Sequence, residues 1–216
     1  MNSTIGMSKK NETFASNEES SRVYKNPLLH YLSKTHISVP LIIFYGAGIF
    51  ISSYAYLHFQ LGILSILLLF FTGLLSFTLI EYLVHRYIYH LPSVYDEKGA
   101  IFALHGIHHK YPKDKKRLVM PPVLSVILAS MILGMNYWLL GETGFPFTAG
   151  FLFGYAAYLS VHFIVHRFSP PKNIFKKLWI HHSIHHYQND EVAFGVSSPL
   201  WDYVFGTMPK TNDSSS

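Results

Sequence analysis

The chain contains 216 residues, carries a formal net charge of +5 and has no cysteine. Half of its residues are hydrophobic, only 13% are charged, and the mean hydropathy is positive. This composition excludes disulfides and thiolate metal ligands, and it is unusual for a soluble domain with a charged surface. It favours a protein that lies partly in lipid, and it makes a membrane surface a better partner for the positive charge than nucleic acid.

The two ends of the chain differ from the rest in composition. Residues 1–21 are rich in Ser, Asn, Glu and Lys and lack the apolar core of a signal peptide, so we predict a disordered tail. A second, shorter tail is predicted at 210–216, and one membrane-embedded domain at 22–209. At the start of this domain, 22–38 mixes aromatic, leucine and basic residues, which indicates either a helix lying on the membrane or a plain linker.

Four apolar stretches follow, each about the ~20 residues that a helix needs to cross a bilayer. They lie at 40–59, 61–84, 119–140 and 145–165. The links at 60–62 and 141–144 are short, so the stretches form two helical hairpins. Aromatic residues of the kind that gather at membrane interfaces lie near these links, namely Tyr54, Tyr56, Tyr137 and Trp138. The predicted fold class is an all-α integral membrane protein with four transmembrane helices in two hairpins.

The distribution of positive charge predicts the orientation. All 17 Lys and Arg residues fall outside the two links, with five in 1–39, seven in 85–118 and five in 166–216. Because basic residues accumulate on the cytoplasmic side of membrane proteins, both ends of the chain are expected in the cytoplasm. The membrane would be the inner membrane of a bacterium or the endoplasmic reticulum of a eukaryote.

Ten of the 14 histidines form four clusters, and all four clusters are expected at the cytoplasmic ends of the second and fourth spans. They are His85 with His90, His105 with His108 and His109, His162 with His166, and His182 with His185 and His186. Four of these residues recur after 77 positions, which indicates two structural halves facing each other across a metal site. Imidazole suits zinc, copper, iron and nickel, and one tetrahedral site uses at most four ligands. Ten histidines therefore predict two metal ions close together, although any single histidine could instead be a hydrogen-bonded core residue.

One pair has a spacing that an undistorted helix does not accommodate. His162 and His166 share a helix face, but five residues of α-helix turn about 500°, which leaves His85 and His90 about 140° apart. We therefore predict that the helix ends or distorts after 86–89, so that His90 returns to the metal. Four histidines fall outside the ligand spacing and are expected at the surface, at an interface or beside the ligands: His30, His36, His58 and His181.

A ligating imidazole usually donates its second N–H group to an acceptor that orients the ring. The residues predicted to support the ligands in this way are Glu81, Asp114, His181, Asp190 and Asp202, with Glu191 as a further carboxylate. Each carboxylate could instead be an ordinary surface or capping residue. This alternative is weakest for Glu81, because a carboxylate near the end of a membrane span is costly without a partner.

A ligand set of histidines alone, holding two metals at a membrane surface, indicates oxygen chemistry on a lipid. Iron can use O2 to attack an unactivated C–H bond, and zinc would compete with iron for nitrogen ligands during purification. The chain has no motif for a flavin, dinucleotide or iron–sulfur cluster, so a separate electron donor is needed. A basic run could dock such an acidic donor, of the cytochrome b5 or ferredoxin type, or simply lie near anionic headgroups: Lys110, Lys113, Lys115, Lys116 and Arg117.

From about 81 to 207 the residues resemble the fatty acid hydroxylase superfamily, and most closely its fatty acid 2-hydroxylase branch. The histidine spacing alone is shared with sterol desaturases and carotenoid hydroxylases. The segments RLVMPP and FGVSSPLWDYVFGT make the 2-hydroxylase branch more specific. In these segments, and in the residues HGIHHKYPKDKK directly before the first, the matching positions are Asp114, Arg117, Pro121, Pro122, Gly195, Trp201, Asp202 and Gly206.

The resemblance implies a four-helix membrane anchor under a cytosolic cap, a di-iron centre, and hydroxylation at carbon 2 of a fatty acid or sphingolipid-type acyl chain. The chain departs from the family in two respects: 39 residues before the first span are too few for the cytochrome b5 domain of many members, and Leu159 stands where the family tends to have Asp. The alternatives are a sterol or carotenoid hydroxylase or desaturase and, more remotely, a histidine-rich metal transporter. A heme protein would leave most of the histidines unexplained.

Overall fold

The computed structural model describes residues 34–91, 93, 96, 99, 101–114 and 121–210. Several sequence predictions fall outside these residues: the tail at 1–21, nearly all of the segment at 22–38, the tail at 210–216 apart from Lys210, and the part of the basic run from 115 to 117.

In the described part of the chain every regular element is helical. The α-helices are α1 (Ser38–His58), α2 (Ile63–Val84), α3 (Ile107–Lys110), α4 (Pro122–Leu140), α5 (Gly144–Arg167), α6 (Lys176–Tyr187) and α7 (Leu200–Val204). Two π-helical turns, His85–Tyr89 and Phe102–Gly106, precede histidine-bearing segments, and a 3-10 turn, Gly141–Thr143, joins α4 to α5.

The four apolar stretches of the sequence correspond to α1, α2, α4 and α5. The largest difference is at the start of α4, which begins at Pro122 rather than at 119. Pro121 has an extended backbone, and a proline at the first helical position needs no N–H hydrogen bond, so the two prolines define the start of the helix.

Among the residues that the structure describes, three helical segments are long and apolar enough to cross a membrane: Ser38–His58, Ile63–Tyr89 and Pro122–Arg167. The third contains both α4 and α5, which the 3-10 turn separates at Gly141. These segments fit a multi-pass membrane protein.

Helix α5 is the centre of the helix packing. Its inward face consists largely of small residues, which let neighbouring helices approach closely. The apolar core joins this face to α1 and α4 and contains Phe44, Ile51, Ala129, Ala149, Leu152, Ala156 and Leu159.

Helices α2 and α5 cross with their backbones in contact at two glycines. A Cβ atom added to Gly150 would lie 1.8 Å from the carbonyl oxygen of Phe70, and one added to Gly73 would lie 1.9 Å from that of Phe147. Both positions therefore require the absence of a side chain. The close crossing brings the C-terminal ends of α2 and α5 together, and these ends carry the two histidine pairs of the sequence.

We expect Gly150→Ala to lower the thermal unfolding midpoint of the detergent-solubilised protein, because the methyl group forces the two helix backbones apart. The cost of such overpacking is about 1–3 kcal/mol. The matched control is Gly134→Ala in α4, where nothing lies within 4 Å of the added Cβ. This change should be neutral or should stabilise the helix by about 0.5–1 kcal/mol. Equal midpoints for the two variants would contradict the close crossing.

Candidate metal centre

The structure brings all ten clustered histidines together in two groups of five. Within each group, one ring nitrogen of every member lies within 4.8 Å of those of the other members. The first group contains His85, His90, His105, His109 and His185. The second group contains His108, His162, His166, His182 and His186. That these residues bind metal remains a prediction.

Each H-x-x-H-H cluster is divided between the two groups. In both clusters, the two histidines that are four residues apart belong to the same group, and the histidine between them belongs to the other group. His108 therefore belongs to the second group, and His185 belongs to the first. On a helix, residues i+3 and i+4 lie on opposite sides of residue i, so one helix can face two sites. Each half of the sequence thus contributes four histidines to one group and one to the other.

The first π-helical turn explains the unequal pair spacing. It spans His85–Tyr89, directly before His90, and so is the distortion predicted from the spacing. A π-turn contains one more residue than an α-turn, which brings residues five apart onto one face. His162 and His166 are four apart in the regular α5, so the two pairs present equivalent nitrogens despite their different spacing.

The nitrogen–nitrogen separations fit metal binding. Nε2 atoms of neighbouring rings lie 3.1 Å apart for His85 and His105, 2.9 Å for His109 and His105, and 3.0 Å for His185 and His90. In the second group the corresponding Nε2 separations range from 2.8 to 3.1 Å. Ligands at right angles around a metal are separated by √2 times the bond length, so these values correspond to about 2.0–2.2 Å, the usual metal–imidazole range. The histidines therefore fit one metal ion in each group.

Burial favours the uncharged form of most imidazoles in the site. The pKa values of His105, His108, His109, His182 and His186 lie well below the usual histidine value, first because of burial and second because of repulsion from neighbouring imidazoles. Burial, followed by His90, lowers the pKa of His185 to about 3. Neutral imidazole is the form that binds metals, so the site is ready for metal at physiological pH.

The loop after α6, residues 192–197, orients two histidines of the first group, and we call it the anchored loop. The Nδ1–H group of His85 donates to the carbonyl oxygen of Phe194, and that of His185 donates to the carbonyl oxygen of Val192, at 2.8 Å. The residue between these carbonyls, Ala193, has a positive φ of 60°, an uncommon conformation for a residue with a side chain. The sequence analysis missed both acceptors, since backbone carbonyls leave no mark in a sequence.

Two of the predicted supporting carboxylates bind this loop and not the rings of the ten clustered histidines. Asp202 accepts hydrogen bonds from the backbone N–H groups of Phe194, at 2.8 Å, and Gly195, at 2.7 Å. Glu81 Oε1 accepts those of Val196, at 2.8 Å, and Ser197, at 2.9 Å, and its Oε2 also accepts the hydroxyl of Ser197. Both therefore act on the ligands indirectly, by anchoring the loop that carries the carbonyl acceptors.

His181 supports this anchor and does not belong to either group. Its Nε2 atom lies 3.0 Å from Asp202 Oδ2, and the hydroxyl of Thr207 donates to Asp202 Oδ1 at 2.7 Å. Burial alone would raise the pKa of Asp202, but the hydrogen bonds from His181, Thr207 and Gly195 outweigh it and hold the pKa below its usual value. Asp202 is thus a carboxylate surrounded by donors.

The remaining predicted supporting carboxylates are Asp190, Asp114 and Glu191. Asp190 Oδ2 lies 3.8 Å from His90 Nδ1, beyond the range of a direct hydrogen bond. Asp114 is buried shortly after α3, and Glu191 is exposed. The supporting roles of these three carboxylates therefore stay predictions. As expected, His36 and His58 are exposed and outside both groups, and His30 lies outside the described residues.

The second group has fewer protein acceptors than the first. Within the described part of the chain, the Nδ1 atoms of His108, His182 and His186 are buried and have no hydrogen-bond partner. A cavity of ≈ 400 Å³ adjoins this group and reaches His166 and His182. Its wall is mainly apolar, formed by residues such as Phe168, Trp179 and Ile184, with Lys113, Ser183 and Gln188 as polar members.

Comparison with known proteins identifies the family. The fatty acid hydroxylase family model matches residues 70–207, which include both histidine groups and the anchored loop. The ceramide very long chain fatty acid hydroxylase SCS7 of Saccharomyces cerevisiae is 44% identical over 64% of this chain and 37% of its own length. The dihydroceramide fatty acyl 2-hydroxylase FAH2 of Arabidopsis thaliana is 38% identical over 63% of this chain and 59% of its own. The human fatty acid 2-hydroxylase is 39% identical over 65% of this chain and 39% of its own.

The chain spans at most about 60% of the length of these three relatives. A solved structure of full-length scs7p, in which only the hydroxylase domain is visible, covers 87% of this chain and 71% of that protein, with a TM-score of 0.77 and 36% identity. The family match covers more than half of the chain, and the solved structure shares its fold. The chain belongs to the fatty acid hydroxylase family.

Proposed function

We propose that the protein is a membrane-bound, metal-dependent oxygenase that hydroxylates carbon 2 of a long acyl chain in a fatty acid or a sphingolipid-type lipid. The observation that carries this proposal is the pair of five-histidine groups, largely buried, at the ends of apolar helices. The names of the relatives describe hydroxylation of fatty acids, ceramides and dihydroceramides, which favours an acyl chain over a sterol or carotenoid.

The metals that suit this role are two iron ions, one in each histidine group. When bound, iron supplies the activation of O2 that attack on an unactivated C–H bond requires. The protein contributes ten imidazole nitrogen donors, and eight of these histidines are buried. Glu81 and Asp202 hold the loop whose carbonyls orient His85 and His185. Zinc in purified protein would be compatible with this role, because nitrogen sites bind zinc well.

The proposed topology has four membrane crossings in two hairpins, with both ends of the chain and the histidines on the cytoplasmic side. Each of the helices α1, α2, α4 and α5 is of spanning length, and the turns between the members of each pair contain no Lys or Arg. The π-turns, α3 and α6 then form the cytosolic cap over the histidines.

The position of the oxidised carbon indicates where the lipid headgroup binds. Carbon 2 is bonded to the carbonyl carbon, so the carboxyl or amide group must lie beside the metals while the rest of the chain extends away. The cavity at His166 and His182 is suited to that polar end, because it adjoins the second histidine group and contributes Lys113, Ser183 and Gln188. Its apolar wall suits the first part of the acyl chain.

The function is tested by mass spectrometry of lipids from host cells with and without the protein. We expect 2-hydroxy acyl chains to appear with the wild type and to be absent with His85→Ala or His186→Ala, because each variant removes one ligand from a different group. The control is His58→Ala, which should retain activity, because His58 is exposed, is the last residue of α1 and belongs to neither histidine group. Hydroxylated sterols, hydroxylated carotenoids or newly unsaturated chains as the main product would contradict the proposal.

Metal content tests the site independently of activity. We expect about two metal ions per chain in purified wild-type protein, with nitrogen neighbours at ~2.0–2.2 Å by X-ray absorption. His186→Ala should reduce the metal content, because it removes one of five donors of the second group, whereas His58→Ala should leave it unchanged. A wild-type metal content near one ion per chain, or oxygen ligands from the protein at both metals, would contradict the two-group assignment.

We propose that a separate protein supplies the electrons, because residues 1–216 contain no motif for a flavin, dinucleotide or iron–sulfur cluster. The basic run from Lys110 to Arg117 follows α3, which carries two of the ligands, and is therefore close to the site in sequence. Lys113 is exposed at the cavity, while 115–117 lie outside the described residues. An acidic carrier of the cytochrome b5 or ferredoxin type would be steered to such a surface, and salt would weaken the steering.

We expect the triple change of Lys113, Lys115 and Lys116 to Glu to raise the donor concentration that gives half-maximal turnover at low salt. Turnover driven by a small chemical reductant should not change in the double variant Lys115→Glu with Lys116→Glu, which retains Lys113 at the cavity. Because Lys113 also lines the cavity, Lys115→Glu with Lys116→Glu is measured beside the triple variant. The matched control is Lys176→Glu with Lys177→Glu, an exposed basic pair on α6. If the triple variant and the control respond equally to the donor, the basic run is not the dock.

A further inference from the structure

The segment after the anchored loop exposes an apolar surface that the proposed function does not use. Between Val196 and Pro209 the only charged side chain is Asp202, which is 0% exposed. The outward side chains of this segment, which we call the C-terminal apolar edge, are Leu200, Tyr203, Val204, Phe205 and Met208. Tyr203 is 79% exposed and Val204 is 56% exposed. An apolar surface of this kind marks a contact with another apolar phase or molecule.

The same segment is bound to the side of a membrane-spanning helix. The indole N–H of Trp201 donates to Thr78 Oγ1 at 2.9 Å, and the ring of Phe205 stacks on Tyr82 at a centroid distance of 5.2 Å. The hydroxyls of Tyr82 and Thr207 are also hydrogen-bonded, at 2.9 Å. All three contacts lie along one turn of α2, within the spanning segment Ile63–Tyr89.

The position of these contacts along α2 gives their depth. A hydrocarbon layer of ~30 Å corresponds to about 20 helical residues at 1.5 Å each, so a layer that begins at Ile63 ends near Tyr82. Thr78 then lies roughly 6 Å inside the boundary. Arg86, one turn beyond Tyr82, donates to its hydroxyl at 2.8 Å and is the first basic residue after the span begins. Helices that lie in the membrane interface bury their apolar face about 5–10 Å, which includes this depth.

The C-terminal apolar edge also continues the outward surface of α2. Leu75 is exposed on α2 and, seven residues before Tyr82, lies on the same helix face as the ring that Phe205 stacks on. Lipid chains that cover Leu75 therefore also reach the neighbouring edge. No charged group on the edge opposes that contact, because Asp202 is enclosed by its donors on the protein side.

We propose that Leu200–Met208 returns into the cytoplasmic leaflet and that lipid acyl chains cover the C-terminal apolar edge. This differs from the sequence-based expectation that 166–216 lies wholly in the cytoplasm. The bilayer then supports the metal site directly, since the same short helix carries Asp202, which holds the loop that orients His85. The proposal does not depend on which lipid is hydroxylated.

Spin-label accessibility tests the proposal in the full-length protein, placed in nanodiscs of phosphatidylcholine and phosphatidylglycerol. Because the chain has no native cysteine, a single nitroxide can be attached at Tyr203→Cys without other changes. Power saturation with O2, which concentrates in lipid, is compared with a water-soluble nickel chelate. The reference variants are Leu68→Cys, exposed on α2, for lipid, and Lys177→Cys, exposed on α6, for water.

We expect the ratio of oxygen to nickel accessibility at Tyr203→Cys to be close to that at Leu68→Cys and several-fold higher than that at Lys177→Cys. Val204→Cys provides a second, independent position on the edge and should give the same result. Both positions are exposed, so the label needs no rearrangement of the core. A nickel accessibility at both positions equal to that at Lys177→Cys would overturn the proposal and place the edge in water.

Discussion

The close packing of ten largely buried imidazoles is the constraint on which the rest of the structure depends. Rings whose Nε2 atoms lie about 3 Å apart repel one another when protonated, and burial adds a further cost to the charged form. A protein that brings them together must therefore exclude water and fix the positions of the rings. The apolar helices, the glycine crossing of α2 with α5 and the anchored loop provide these conditions.

The exchange of one histidine between the two halves makes the groups interdependent. His108 completes the group formed mainly by the second half, and His185 completes the group formed mainly by the first. Neither half can assemble a five-histidine group alone. The crossing of α2 and α5 therefore determines more than the packing of the helices. It also sets the distance between the two halves, and so between His108 or His185 and the group that each completes.

The anchored loop joins the membrane helices to the candidate site through two carboxylates. Glu81, on α2, and Asp202, on α7, bind successive backbone N–H groups of one loop, and carbonyls of that loop accept from His85 and His185. A carboxylate buried beside an apolar helix end is stabilised here by several donors, which offsets the cost of removing it from water. In the second group, the Nδ1 atoms of His108, His182 and His186 have no hydrogen-bond partner among the described residues, so the two groups differ in their surroundings although their ligands correspond.

Local features of the sequence determined the apolar stretches, the ten histidines and the helix distortion before His90. Hydropathy, spacing and the geometry of a single helix decide each of these, so no long-range information is needed. Tertiary structure alone decided which histidine belongs to which group, because the third and fourth positions of a helix turn face different neighbours. It also decided that Glu81 and Asp202 act through a loop. Their partners are backbone groups, which every residue carries, and only the folded chain brings them within hydrogen-bond distance.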